Sequence, residues 1–164
     1  MRILLTLIFL VFVAGSYAQI SEPDAATYTL IGKVMDDKLV VHKLERGTRG
    51  DSIFYRLNIG LINFRNTGAK YSEKFYDHKA LTFRETGGVL DKFYEICRTV
   101  FSDENRNDQS YTRSIILGTY NVDIRTDKRL KKPVAFLTFW FTDGSYDQVN
   151  LVLSEKELDK LFGR

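Results

Sequence analysis

Apolar residues alternate with polar ones over much of this chain, which is the period of β-strands. The strongest case is Val134 to Phe141, where apolar residues fill both phases. Val134, Phe136 and Trp140 fall on one face, and Ala135, Leu137, Phe139 and Phe141 on the other. A strand apolar on both sides is covered on both sides. That places it centrally in a strongly curved sheet, or against a loop or another chain. Asp143-Gly144 then interrupts the run, and this dipeptide suits the positive φ angles of a tight hairpin turn. Alternation resumes from Ser145 to Leu153. Ser154, with Glu157 three residues later, reads as a capping box that starts a helix.

The same reading covers the preceding chain. Tyr28 to Val34 and Leu39 to Leu44 are rich in strand formers and predict a hairpin. Glu45 to Ser52, with two glycines and alternating charge, predicts a loop. Ile53 to Phe64 predicts a longer strand, with Ile53, Tyr55, Leu57, Ile59 and Leu61 on its buried face. Arg65 to Lys74 is a polar connection. Phe75 to Glu85 predicts a strand with Phe75, Leu81 and Phe83 on one face and Tyr76, His78, Thr82 and Arg84 on a wetter one. Thr86 is expected to cap a helix from about Gly87 to Phe101, whose apolar stripe is Leu90, Phe93, Cys97, Val100 and Phe101. Ser102 to Gln109 is wholly polar and predicts a mobile loop. Tyr111 to Thr126 predicts a strand, bent or broken at Gly118, and Asp127 to Lys132 a basic loop.

The expected order is ββββαβββα. Short connections between consecutive strands mean antiparallel pairing. The predicted fold class is therefore α+β: a curved antiparallel sheet of about six to seven strands with two helices. The two helix starts look alike, since Thr86 and Ser154 each precede a Leu-Asp-Lys-apolar run, Leu90 to Phe93 and Leu158 to Leu161. Convergence explains this more simply than duplication, because any strand-to-helix junction favours a cap and an apolar fourth position.

The N-terminus changes the picture of where the chain works. Arg2, the apolar run Ile3 to Ala14 and Ser16-Tyr17-Ala18 match the three regions of a secretory signal peptide. The run is shorter than the roughly 20 residues of a membrane-spanning helix. Residues 1–18 are thus expected to be removed, 19–26 to form a flexible leader and 27–164 a single domain, exported to the periplasm or the extracellular space, with no transmembrane segment in the mature chain. The one cysteine, Cys97, rules out an internal disulfide. A formal net charge of +3 selects no partner by itself.

Candidate chemistry is sparse. Arg125 to Lys132 is the densest charge cluster, and Arg125, Lys128, Arg129, Lys131 and Lys132 would suit an anionic surface. A solvated loop that discourages edge pairing is the plainer explanation. The nearby aromatics belong to the strand and do not interleave with the bases, which argues against nucleic acid as a partner. Two histidines without close cysteines make a poor metal site, and no metal or cofactor is implied. Cys97 lies on the apolar stripe of a helix, where a thiol is inert. No catalytic residue stands out, and no nucleophile elbow or nucleotide loop is present. Arg49-Gly50-Asp51 spells an adhesion tripeptide, but loops are rich in such residues by chance.

Twelve Phe, nine Tyr and one Trp are more than a core alone needs. These features favour a non-enzymatic exported binding module, its partner an unknown protein. A carrier of a small apolar ligand on the concave sheet face is the alternative. A hydrolase using Tyr76, His78 and Arg84 is a more distant one.

Overall fold

The computed structural model describes residues 26–36, 39–65, 73–142 and 148–164. The expected signal peptide, nearly all of the leader, the Asp143-Gly144 turn and most of the Arg65 to Lys74 connection lie outside these residues, as do the side chains of residues 62–65 and 73–76.

Among the described residues, eight strands and two helices run in the order ββββαββββα. Strands β1 (Thr27–Asp36), β2 (Leu39–Arg49), β3 (Ser52–Arg65) and β4 (Glu73–Arg84) form one antiparallel sheet in sequence order. Helix α1 (Val89–Arg98) and a 3-10 turn (Thr99–Phe101) follow. Strands β5 (Thr112–Leu117), β6 (Tyr120–Arg129), β7 (Lys132–Phe141) and β8 (Gln148–Leu153) form a second four-stranded sheet, and α2 (Glu155–Phe162) ends the fold. The antiparallel pairing and the two helices match expectation. A single curved sheet of six to seven strands does not form. Tyr111 to Thr126 folds as two strands about Gly118, whose φ of 61° supplies the turn. The polar run after Phe101 separates the two sheets.

Each half is thus a four-stranded meander followed by a helix. Convergence of two junctions explains a shared cap, but not a shared order of elements. The caps themselves differ. Ser154 and Glu157 form the full capping box, whereas Thr86 does not cap α1. Gly87 and Gly88 both take positive φ and turn the chain into that helix. The Glu85 carboxylate accepts the Gly88 amide at 2.7 Å.

One core joins the sheets and helices. Leu57, Ile59 and Leu81 from the first sheet, Val122, Leu137 and Phe139 from the second, and Phe93, Leu158 and Leu161 from the helices are all buried in it. The Phe93 ring lies edge-on to Phe139 and Phe162 at 6.4 and 5.7 Å between centroids. Burying an aromatic side chain of this kind contributes about 1.5–3 kcal/mol. Helix α2 packs chiefly on β1, and the 3-10 turn packs on β6 and β7. Gly32 allows the α2 contact: a Cβ there would stand 2.1 Å from the Lys160 carbonyl oxygen.

Two expected loops are ordered. Glu45 to Arg49 continues β2, because the charge that suggested a loop is matched on the sheet. Lys43 and Arg56 pair with the Glu45 carboxylate at 3.0 and 2.8 Å, and Asn58 donates to it at 3.0 Å. Burial alone would push that carboxyl up, but the hydrogen bonds from Lys43 and Arg56 outweigh it and hold it below the ordinary Glu range. Ser102 to Gln109 forms linked turns. Asn105 donates to the Thr99 carbonyl at 2.9 Å, and its own carbonyl accepts from Thr126 at 3.1 Å.

Candidate anionic-surface interface

The expected Asp127 to Lys132 loop is mostly strand, because cross-strand pairing carries β6 and β7 up to a two-residue turn, Leu130-Lys131, closed by the pair Arg129 and Lys132. Both central residues have positive φ, 53° and 66°. This is the mirror-image turn that matches strand twist, and it normally takes Asn and Gly. Here Leu and Lys adopt it, at roughly 1–2 kcal/mol each. Lys128, Arg129, Leu130, Lys131 and Lys132 are all exposed, and Leu130 is 90 % exposed. The hairpin therefore projects an apolar tip from a collar of four bases.

Arg125 does not belong to this tip. It lies four residues back on the outer face of the second sheet, roughly 13 Å away at strand rise, with its guanidinium 4.2 Å over the Phe136 ring. Trp140 shares that face and is 40 % exposed. Its indole N–H donates to Asp123 at 3.1 Å, and Ser114 donates to the other oxygen of the same carboxylate at 2.6 Å. The ring is thereby held in place with its polar group satisfied. The second apolar face of β7 is thus only partly covered: Val134 is buried, Phe136 half-buried and Trp140 exposed.

Among the described residues, the wetter face of β4 gathers no reactive cluster. His78 and Arg84 are both exposed, while Leu81 and Phe83 are buried on the opposite face. His78 pairs with Gly60 and Arg84 with Phe54 across β3. The six-residue interval separates them by roughly 20 Å on one strand. Nε2 of His78 lies 3.2 Å from the Val40 carbonyl. The Tyr76 side chain lies outside the described residues. Cys97 is fully buried, and burial pushes its thiol well above the ordinary range. Among the described residues, no group of three or more His, Cys, Asp or Glu side chains could hold a metal ion. The Arg49-Gly50-Asp51 tripeptide stands at the exposed tip of the β2–β3 hairpin.

Sequence reasoning missed His42. It is 9 % exposed and borders an open cleft of about 470 Å³ between the two sheets, with Val34, Leu61, Asn150, Val152 and Glu157. Nδ1 of His42 accepts the Gly60 amide at 3.2 Å. Burial lowers its pKa to about 4, against the opposing attraction of Glu157. His42 is therefore neutral at pH 7. Its position on the inner face of β2, opposite Ile59, was the available signal.

The chain matches no protein-family model, and no curated protein or solved structure is significantly similar to it.

Proposed function

We propose that this is a non-enzymatic binding module of an exported protein, and that it engages an anionic surface through the β6–β7 hairpin. One observation carries the reading: five consecutive exposed residues at a hairpin tip, four of them basic. Opposed charge at such a tip raises encounter rates and fixes orientation. The signal-peptide pattern of residues 1–18 supports export. The buried Cys97 thiol and the wide separation of His78 and Arg84 favour binding over catalysis.

Retention on immobilised heparin, used as a generic polyanion, tests the charge. Retention should fall steeply with salt, and Lys131→Glu with Lys132→Glu should abolish it. Retention that ignores both salt and charge reversal would remove the hairpin from the function.

A second reading, a small-ligand carrier, is favoured by the inter-sheet cleft of about 470 Å³. The inner sheet faces are filled by Phe93, Leu158 and Leu161, so the cleft is where a ligand has room. Native mass spectrometry of protein from its own host would show a bound mass. The bare chain mass alone would count against a carrier.

A further inference from the structure

A solvated basic loop has no need of an exposed leucine, and a hairpin shaped only for folding has no need of one at positive φ. The β6–β7 tip has both. Leu130 is 90 % exposed and sits at φ 53°, where Asn or Gly would be less strained and more soluble. A backbone outlier of this kind points toward function. The surroundings narrow the choice of partner. Lys128, Arg129, Lys131 and Lys132 flank the leucine, all exposed. Phe101, Pro133 and Val134 line an open cleft of about 520 Å³ together with Leu130 itself. Three acids stand nearby, Glu155 and Glu157 on the same cleft as Leu130. Asp127 accepts the Lys128 amide at 2.7 Å, Glu155 pairs with Arg98 at 3.1 Å and Glu157 accepts from Ser154 at 2.7 Å. The four bases with Lys156 outnumber them.

An apolar point inside a basic collar fits the boundary zone of an anionic bilayer. Lysine and arginine stems run along apolar surface with their charges at the phosphates, and a leucine enters the acyl edge. A nucleic acid would be met by aromatic stacking or by base-edge donors, and a leucine tip supplies neither. Resting on the reading that this hairpin engages an anionic surface, we propose that the surface is an anionic phospholipid bilayer. Leu130 inserts at its interface, and Lys128, Arg129, Lys131 and Lys132 hold the headgroups. One apolar residue with a few bases gives weak, reversible attachment, suited to a protein that docks and leaves.

Flotation of the purified protein with vesicles tests this. Vesicles of phosphatidylcholine containing about a third phosphatidylglycerol should carry the protein upward, and phosphatidylcholine alone should not. Raised salt should weaken the binding. Leu130→Ser should lower affinity about tenfold while leaving heparin retention intact. Because Cys97 is buried, Leu130→Cys can be labelled singly with an environment-sensitive fluorophore. Its emission should shift to the blue on the anionic vesicles. Equal binding to neutral vesicles, unchanged affinity of Leu130→Ser, or a label that stays in water would overturn the proposal. Heparin retention without vesicle binding would overturn it too, while leaving the binding-module reading in place. Loss of both would sink both.

Discussion

The backbone amide of Gly60 donates to Nδ1 of His42 across the β2–β3 pair at 3.2 Å. That bond needs an unprotonated nitrogen, so the folded state selects neutral histidine. Burial already lowers the pKa from 6.5 to about 4. A group depressed in the fold gives stability that is present above its unfolded pKa and lost as pH falls toward its folded one. Unfolding free energy should therefore fall by about 3 kcal/mol between pH 6.5 and 4. Glu45 is also held low, but its contribution is lost only below the ordinary Glu range. The upper part of the window thus belongs to His42. Urea titrations from pH 7 to pH 5 should show the slope in the wild type and not in His42→Gln, which keeps an acceptor for the Gly60 amide. Equal slopes would show that the histidine is not responsible.

Gly32 and Gly50 should respond to alanine for opposite reasons. At Gly32 the obstacle is space, because a Cβ meets the carbonyl oxygens of Lys160 and Leu161 at 2.1 and 2.5 Å. Those atoms are backbone and cannot rotate away. Gly32→Ala should push α2 off β1 and cost about 3 kcal/mol. Gly50 has open space but a φ of 53°, so Gly50→Ala should cost about 1 kcal/mol. Chemical denaturation of both variants checks the order. A Gly32→Ala variant as stable as Gly50→Ala would mean that the helix is not seated on that strand.

Which features the sequence disclosed follows from which interactions are local. Leu57 and Leu81 announce their faces by alternation, and both are buried. Ser154 and Glu157 announce a cap by spacing alone, and the capping box forms. The errors came where a distant partner decides. Glu45 looks like a loop residue until Arg56 and Asn58, on the next strand, satisfy it. Gly118 reads equally as a bend or a turn, and only the pairing of β5 with β6 makes it a turn. The basic cluster was visible, but not its division. Whether Arg125 sits with Lys131 depends on register, and register places Leu130 and Lys131 at the turn with Arg125 back on the sheet.

Cys97 should react only when the chain opens. Its side chain is fully buried, and burial disfavours the thiolate that attacks a reagent. In native buffer, labelling by a thiol reagent should be slow and should accelerate in proportion to the unfolded fraction as urea is added. Fast labelling without denaturant would require a local opening of α1 away from Phe139, and with it a less uniform core than the one described.

The strain at the β6–β7 turn can be relieved, which tests whether it is retained for a purpose. Leu130→Asn with Lys131→Gly supplies the pair of residues that this turn geometry favours. Each replacement keeps the left-handed conformation but adopts it more cheaply than the present residue, for which it costs roughly 1–2 kcal/mol. The two partners flanking the turn, Arg129 and Lys132, are untouched, so the strand register should persist. Relief of strain at both positions should outweigh the extra freedom that Asn and Gly lose on folding, leaving the double variant more stable than the wild type by about 1–2 kcal/mol. It should also lose its grip on anionic vesicles, because the apolar tip and one base of the collar are gone. Gain of stability together with loss of binding would identify Leu130-Lys131 as a site where folding has been compromised for contact. A variant that binds as before would show that the exposed leucine contributes nothing to attachment, and a variant less stable than the wild type would show that the positive φ angles carry no strain.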